Sequence, residues 1–248
     1  MHHLIYLHGF LSSPKSVKAT QTLAFFEQHA PHIKCHFPTL PGYPLQAVEA
    51  IEKVIAGIVV DKSENPYDAY YTLDENNAED KQRPYEKSTY EQSTYEQSTY
   101  EQSTYQQSLN QTVDKTQHQL RFIGSSMGGY LATYFVEKYG GKAVIVNPAV
   151  TPYDLLVDYM GEHINPNTKE RFEIAPAQIE QLRSLDTKLL KKPQSYKVLL
   201  QTLDETLDYT LAENKYQGAD LVIEQGGNHS FEGYQHHLPA IYAFLFAE

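Results

Sequence analysis

Hydrophobic and polar positions alternate along this chain in blocks. His3-Leu4-Ile5-Tyr6-Leu7-His8 is a short apolar run that stops at Gly9, the pattern of a buried strand. Ser13 followed by Pro14 reads as an N-cap and first helical position, predicting a helix to about Ala30 with Val17, Leu23 and Phe26 on its apolar face. Ile33 to Phe37 predicts a second strand closed by Pro38, and Leu45 to Val60 a second helix. Further on, Leu120 to Gly124 predicts a strand, Met127 to Tyr139 a helix, and Ala143 to Asn147 a strand ended by Pro148. Lys197 to Leu203 and Leu221 to Gln225 add two strands, and a last helix is expected from about Pro239 to Ala247. Near-continuous apolar strands alternating with amphipathic helices predict an α/β fold: a doubly wound parallel sheet of about six strands, with helices on both faces. Loops at the carboxyl ends of the strands are then where function belongs.

The stretch 61–118 breaks the pattern. Among Leu, Ile, Val, Phe and Met it holds only Leu73, Leu109 and Val113, and it has no glycine. A pentapeptide recurs from Tyr85, Tyr90, Tyr95 and Tyr100 and fades after Tyr105. Five helical steps turn by roughly 500°, so successive tyrosines fall about 140° apart and form no stripe. In a strand, an odd period sends them to alternate faces. Residues 62–117 therefore read as a low-complexity, mostly disordered insertion within a single domain spanning 1–248. The flanking elements place its ends at the sheet edge away from the functional loops. Residues 148–195, after the fourth strand, are the better candidate cap, with Leu155, Leu156, Tyr159 and Met160 available for an apolar substrate pocket.

Chemistry is concentrated at the strand ends. Gly124-Ser125-Ser126-Met127-Gly128 matches G-x-S-x-G with Ser126 at its centre, after an apolar strand and before a helix. That context suits a nucleophile on a sharp turn, where bulk two residues to either side would strike neighbouring backbone. A serine needs a general base. His229 follows Gly226-Gly227-Asn228 directly after the last strand, whereas His236 and His237 sit deeper in the final segment. The base needs a carboxylate to hold its tautomer. Asp204 is the first acid after the 197–203 strand, Glu205 is the fallback, and Asp208 is better placed to begin the next helix. An oxyanion hole is expected from the backbone N–H groups of Phe10, after His8-Gly9, and of Met127.

With these residues the chain resembles small bacterial esterases of the YqiA/YcfP type in the α/β-hydrolase superfamily. The resembling stretches are LIYLHGFLSSPKS (4–16), PTLPGYP (38–44), FIGSSMGGYLATYF (122–135), AVIVNPAV (143–150), LLVDYMGE (155–162), LLQTLDETLDY (199–209) and GGNHSF (226–231). The resemblance implies hydrolysis of carboxylic esters, extending to acyl thioesters such as acyl-CoA, with no metal or organic cofactor. It also supports Ser126, Asp204 and His229. The family's link before the Ser126 strand is short, so the tyrosine repeat is a departure.

Composition narrows the partners. Lys and Arg total 20 against 31 Asp and Glu, a net charge of −11, and the 61–118 stretch holds twelve of the acids and five of the bases. An acidic chain without a basic cluster argues against nucleic acid. One cysteine excludes an intramolecular disulfide framework. No apolar run reaches a membrane span, and Met1-His2-His3-Leu4 lacks a basic signal-peptide start, so a cytoplasmic location is expected. Two other functions fit the same residues: a catalytically silent scaffold binding partners through the tyrosine repeat, and acyl transfer to an acceptor other than water. The oligomeric state is not legible at this level.

Overall fold

The computed structural model describes residues 2–60 and 120–247, so the expectations placed on 62–117 lie outside the described residues. Six strands form one parallel sheet: β1 (His2–Leu7), β2 (Ile33–His36), β3 (Leu120–Ser125), β4 (Lys142–Val146), β7 (Tyr196–Gln201) and β8 (Asp220–Glu224). Their order is β2-β1-β3-β4-β7-β8. The register aligns Leu7 with Gly124 and Ser125 with Val146, which brings the ends of β1, β3 and β4 level.

Strand alternation sorts the apolar side chains into two cores. Ile5, Leu7, Phe122, Ile145, Val198 and Leu200 face one side, against the helices α2 (Pro44–Val60) and α3 (Met127–Tyr139). Leu4, Tyr6, Ile123, Val144, Val146 and Leu199 face the other, against α1 (Val17–His29) and α7 (Tyr234–Phe246). Both faces are covered, so the strands are apolar at nearly every position. From β1 the chain steps one way to β2 and then returns past β1 to β3. The switch point between β1 and β3 opens a crevice at their carboxyl ends.

Two expectations change, and the 148–195 stretch gains elements that the sequence pattern did not assign. The first helix begins at Val17, not Pro14. Ser16 occupies its N-cap, and the Ser13 hydroxyl instead accepts the Lys15 N–H within the preceding turn. Its buried face is Ala19, Thr22 and Phe26, spaced three and four apart, while Val17 and Leu23 are 72% and 37% exposed. The last helix starts five residues earlier than expected and carries Pro239 inside it, in its second turn. Finally, the 148–195 stretch contains α4 (Pro152–Leu155), a 3₁₀ turn (Leu156–Tyr159), an antiparallel hairpin of β5 (Gly161–Ile164) and β6 (Arg171–Ile174), and α5 (Pro176–Ser184). The hairpin strands are four residues long with charged residues at alternate positions, too short and polar for a periodicity signal. The hairpin rests on the β1 loop: Asn165 and Asn167 donate to the carbonyls of Ser12 and Leu11, at 3.2 and 2.9 Å.

Candidate active site

Ser126 sits between β3 and α3 with φ 56° and ψ −122°, a strained conformation for a residue with a side chain. It is held by its neighbours: its N–H donates to Val146 O at 3.0 Å and its C=O accepts from Gly129 N–H at 2.9 Å. Two glycines make the turn possible. A Cβ on Gly124 would lie 2.3 Å from Gly128 O, and one on Gly128 would lie 2.0 Å from Leu7 O. The first turn of α3 thus packs backbone-on-backbone against the end of β1.

Three distant parts of the chain meet at this turn. The Ser126 hydroxyl donates to His229 Nε2 at 3.1 Å, and His229 Nδ1–H donates to Asp204 Oδ2 at 2.8 Å. The Asp204 side chain is buried, and its Oδ1 accepts the N–H groups of Thr206 and Leu207 at 2.9 and 2.8 Å. This arrangement can pass a proton from hydroxyl to imidazole while the carboxylate holds the ring and balances its charge. Glu205 takes a different place from its neighbour. Its Oε2 accepts the His229 backbone N–H at 2.9 Å, and that bond holds the Glu205 carboxyl below the usual carboxylate range. Asp208 caps α6 (Tyr209–Lys215), as expected.

Two supporting residues escaped the sequence reading. Gln201 ends β7 almost fully buried. Its Oε1 accepts the N–H groups of Asn228 and Glu232 at 3.1 and 2.8 Å, and its Nε2 donates to Glu232 O at 2.8 Å. It therefore clamps the His229 loop from both sides. Gly227 is required there, because a Cβ would fall 1.9 Å from Gln201 Oε1. Asn147, after β4, donates to Asn228 O at 3.0 Å and accepts the Gln201 N–H at 3.0 Å. The available signal was a buried-type polar residue closing each apolar strand.

Phe10 and Met127 lie side by side at the crevice. Among the described residues neither backbone N–H donates to a protein acceptor. The Gly9–Phe10 peptide is oriented by His8. With Nδ1 protonated, His8 donates to Gly9 O at 2.9 Å, while its Nε2 accepts the Leu40 N–H at 3.1 Å. Because a trans peptide points its C=O and N–H in opposite directions, anchoring Gly9 O fixes the Phe10 N–H on the opposite side of that peptide from His8. Burial pushes the His8 pKa below its ordinary 6.5. The unfolded chain thus binds this proton at higher pH than the folded one. The stability tied to neutral His8 is complete above 6.5 and is lost as pH falls through the lower folded value. Thermal unfolding measured between pH 7.5 and 5 is expected to fall more steeply for the native chain than for His8→Gln; parallel curves would rule this out.

Two hollows flank the site. A larger cleft of about 470 Å³ is lined by polar groups of Ser126, His229, Ser12, Ser16, Lys18 and Gln235 together with the apolar Tyr6, Phe10, Val17 and Phe231. A smaller apolar cavity of about 50 Å³ lies behind Phe10 and Met127, against Leu40, Leu131, Leu156 and Phe172. The expected pocket residues Leu155, Tyr159 and Met160 line neither hollow and are 43%, 50% and 53% exposed. Of the 3₁₀ turn only Leu156 is buried, packed in the core with Phe172, Ile174 and Ile179. Tyr159 instead meets the Phe10 ring edge-on at 6.4 Å.

The chain matches the uncharacterised protein family UPF0227 over residues 3–65 and 75–246. It belongs to that family. The motif-based resemblance points to the same group. Solved structures similar to this UPF0227 member include a putative hydrolase from Agrobacterium vitis, at 14% identity and TM-score 0.57, covering 98% of this chain and 88% of that one. Est1E from Butyrivibrio proteoclasticus is similar at 10% identity and TM-score 0.53, covering 98% and 86%. Mouse alpha/beta hydrolase domain-containing protein 10 is similar at 14% identity and TM-score 0.51, covering 96% and 86%. At these identities the likeness is one of fold, and the fold is that of the α/β hydrolases. Among the described residues of the UPF0227 chain no group of three or more His, Cys, Asp or Glu is placed to hold a metal, and no helix is long and apolar enough to cross a membrane. Burial pushes the Cys35 thiol up to about 11, so it is almost wholly protonated and unreactive at neutral pH.

Proposed function

We propose that this protein is a serine hydrolase acting on carboxylic esters through an acyl-enzyme on Ser126. The observation that carries the reading is the relay: one imidazole, His229, bonded to Ser126 Oγ at 3.1 Å and to the buried Asp204 carboxylate at 2.8 Å. Ser126 Oγ attacks the ester carbonyl carbon as its proton moves to His229 Nε2. The carbonyl oxygen becomes an oxyanion held by the N–H groups of Phe10 and Met127. His229 then gives the proton to the departing oxygen, the ester C–O bond breaks, and the alcohol leaves. Water repeats the sequence on the acyl-enzyme and releases the acid. Preorganised donors of this kind typically contribute about 3–4 kcal/mol each to lowering the barrier.

The three similar structures named above carry hydrolase or esterase descriptions, which agrees with this reading. An acyl thioester would follow the same steps with a thiol as leaving group, and an acceptor alcohol could replace water. A fluorophosphonate probe is expected to add to the native chain at one residue, located at Ser126 by peptide mass spectrometry. Absence of labelling in the folded native protein would remove the assignment.

A further inference from the structure

On the side of the larger cleft, a positive charge stands without an ion-pair partner among the described residues. Lys18, in the first turn of α1, lines the cleft with Ser126 and His229. Its Nζ donates to Ser230 O at 2.7 Å, a neutral carbonyl, leaving two ammonium hydrogens for other acceptors. The Asp204 carboxylate acts on it electrostatically, but both oxygens of Asp204 are committed to His229, Thr206 and Leu207. Glu232, also on the cleft wall, accepts from Asn228 Nδ2 at 2.8 Å. Holding a half-buried ammonium with no carboxylate bonded to it costs stability, and burial accordingly pulls the Lys18 pKa down to about 8, against the pull of Asp204. The cleft also presents the neutral hydrogen-bonding groups of Ser12, Ser16, Gln21 and Gln235, beside the apolar Phe10, Val17 and Phe231.

We propose that Lys18 selects esters whose leaving half carries an anionic group, a carboxylate or phosphate, seated in the larger cleft. The inference rests on the esterase reading and assigns sides to the substrate. His229 must face the departing oxygen to protonate it, and Lys18 is bonded to the carbonyl of the very next residue. A leaving half that passes His229 therefore runs into the ammonium.

The test compares acetyl esters of matched shape, 4-acetoxybenzoate and 4-acetoxybenzamide, at neutral pH and low salt. For the native protein kcat/KM is expected to be roughly ten-fold higher for the anionic ester, the scale of one partly screened, charge-assisted hydrogen bond. In Lys18→Gln that ratio falls to about one, and in Lys18→Arg it is kept. A purely structural lysine, tying down the His229 loop, would lower both substrates together and leave the ratio unchanged; that result overturns the proposal. A second pair, phenyl hydrogen adipate against phenyl hexanoate, moves the charge to the acyl half. A preference there instead of in the first pair also overturns it. A third ester, 4-acetoxyphenyl phosphate, shows whether phosphate serves as well as carboxylate. If the benzamide is turned over with no charge preference, the lysine assignment alone fails. If the native protein hydrolyses none of these esters, the esterase reading fails and takes this inference with it.

Discussion

Ser126→Ala is expected to lower kcat for a short p-nitrophenyl ester by about 10⁴-fold or more, while the thermal unfolding temperature stays within about 1–2 °C of the native protein. The two halves of this result have separate causes. The hydroxyl is the attacking group, so its loss leaves only the oxyanion donors and substrate binding. Alanine has the same Cβ and keeps the same backbone strain at φ 56°. Ser126→Gly separates the two effects. It loses the same activity, but glycine tolerates the positive φ, so stability rises by about 1 kcal/mol or more. Steady-state kinetics beside calorimetry on the two variants checks both halves. Near-native turnover in Ser126→Ala would exclude the serine as nucleophile. Loss of stability in Ser126→Gly would show that the turn is not strained.

Gly128→Ala should act in the opposite sense on the fold. Its methyl group would lie 2.0 Å from Leu7 O and 2.7 Å from His8 O, both backbone atoms that cannot rotate away. The helix must lift off β1, at a cost of about 3 kcal/mol or more, which for a chain of this size lowers the unfolding temperature by roughly 6–12 °C. The same shift draws Met127 away from Phe10, so activity falls even in the fraction that stays folded. Gly57→Ala is the control. A Cβ there meets nothing within 4 Å, and the position lies inside α2, where alanine is favoured over glycine by about 0.5–1 kcal/mol. Opposite signs at the two glycines would show that the clash, not loss of glycine itself, sets the outcome.

How far the molecule could be read in advance differs between elements. The four inner strands were legible because burial on both faces makes them largely apolar, whereas the edge strands β2 and β8 are half-buried and were read from shorter apolar stretches. The G-x-S-x-G turn was legible because the backbone contacts of Gly124 and Gly128 leave no room for any other residue. Asp204 and His229 were legible by their position after β7 and β8. The start of α1 was not, since Ser13-Pro14 and Ser16 both carry helix-start chemistry and local preference does not choose between them. Nor was the outward face of the 3₁₀ turn, where Leu155, Leu156, Tyr159 and Met160 are equally apolar and only packing against α5 and the hairpin distinguishes them.

Local residue order, then, determined the strand–helix alternation, the sharp turn at Ser126 and the placing of Asp204 and His229 after later strands. All of these are written in spacing and in side-chain type. Only the tertiary structure decided that Gln201 and Asn147 clamp the His229 loop, that His8 anchors the Gly9 carbonyl, and that Lys18 stands in the cleft beside Ser126. Each of those depends on contacts between segments far apart in the chain, and such contacts exist only once the sheet has brought the ends of its strands level.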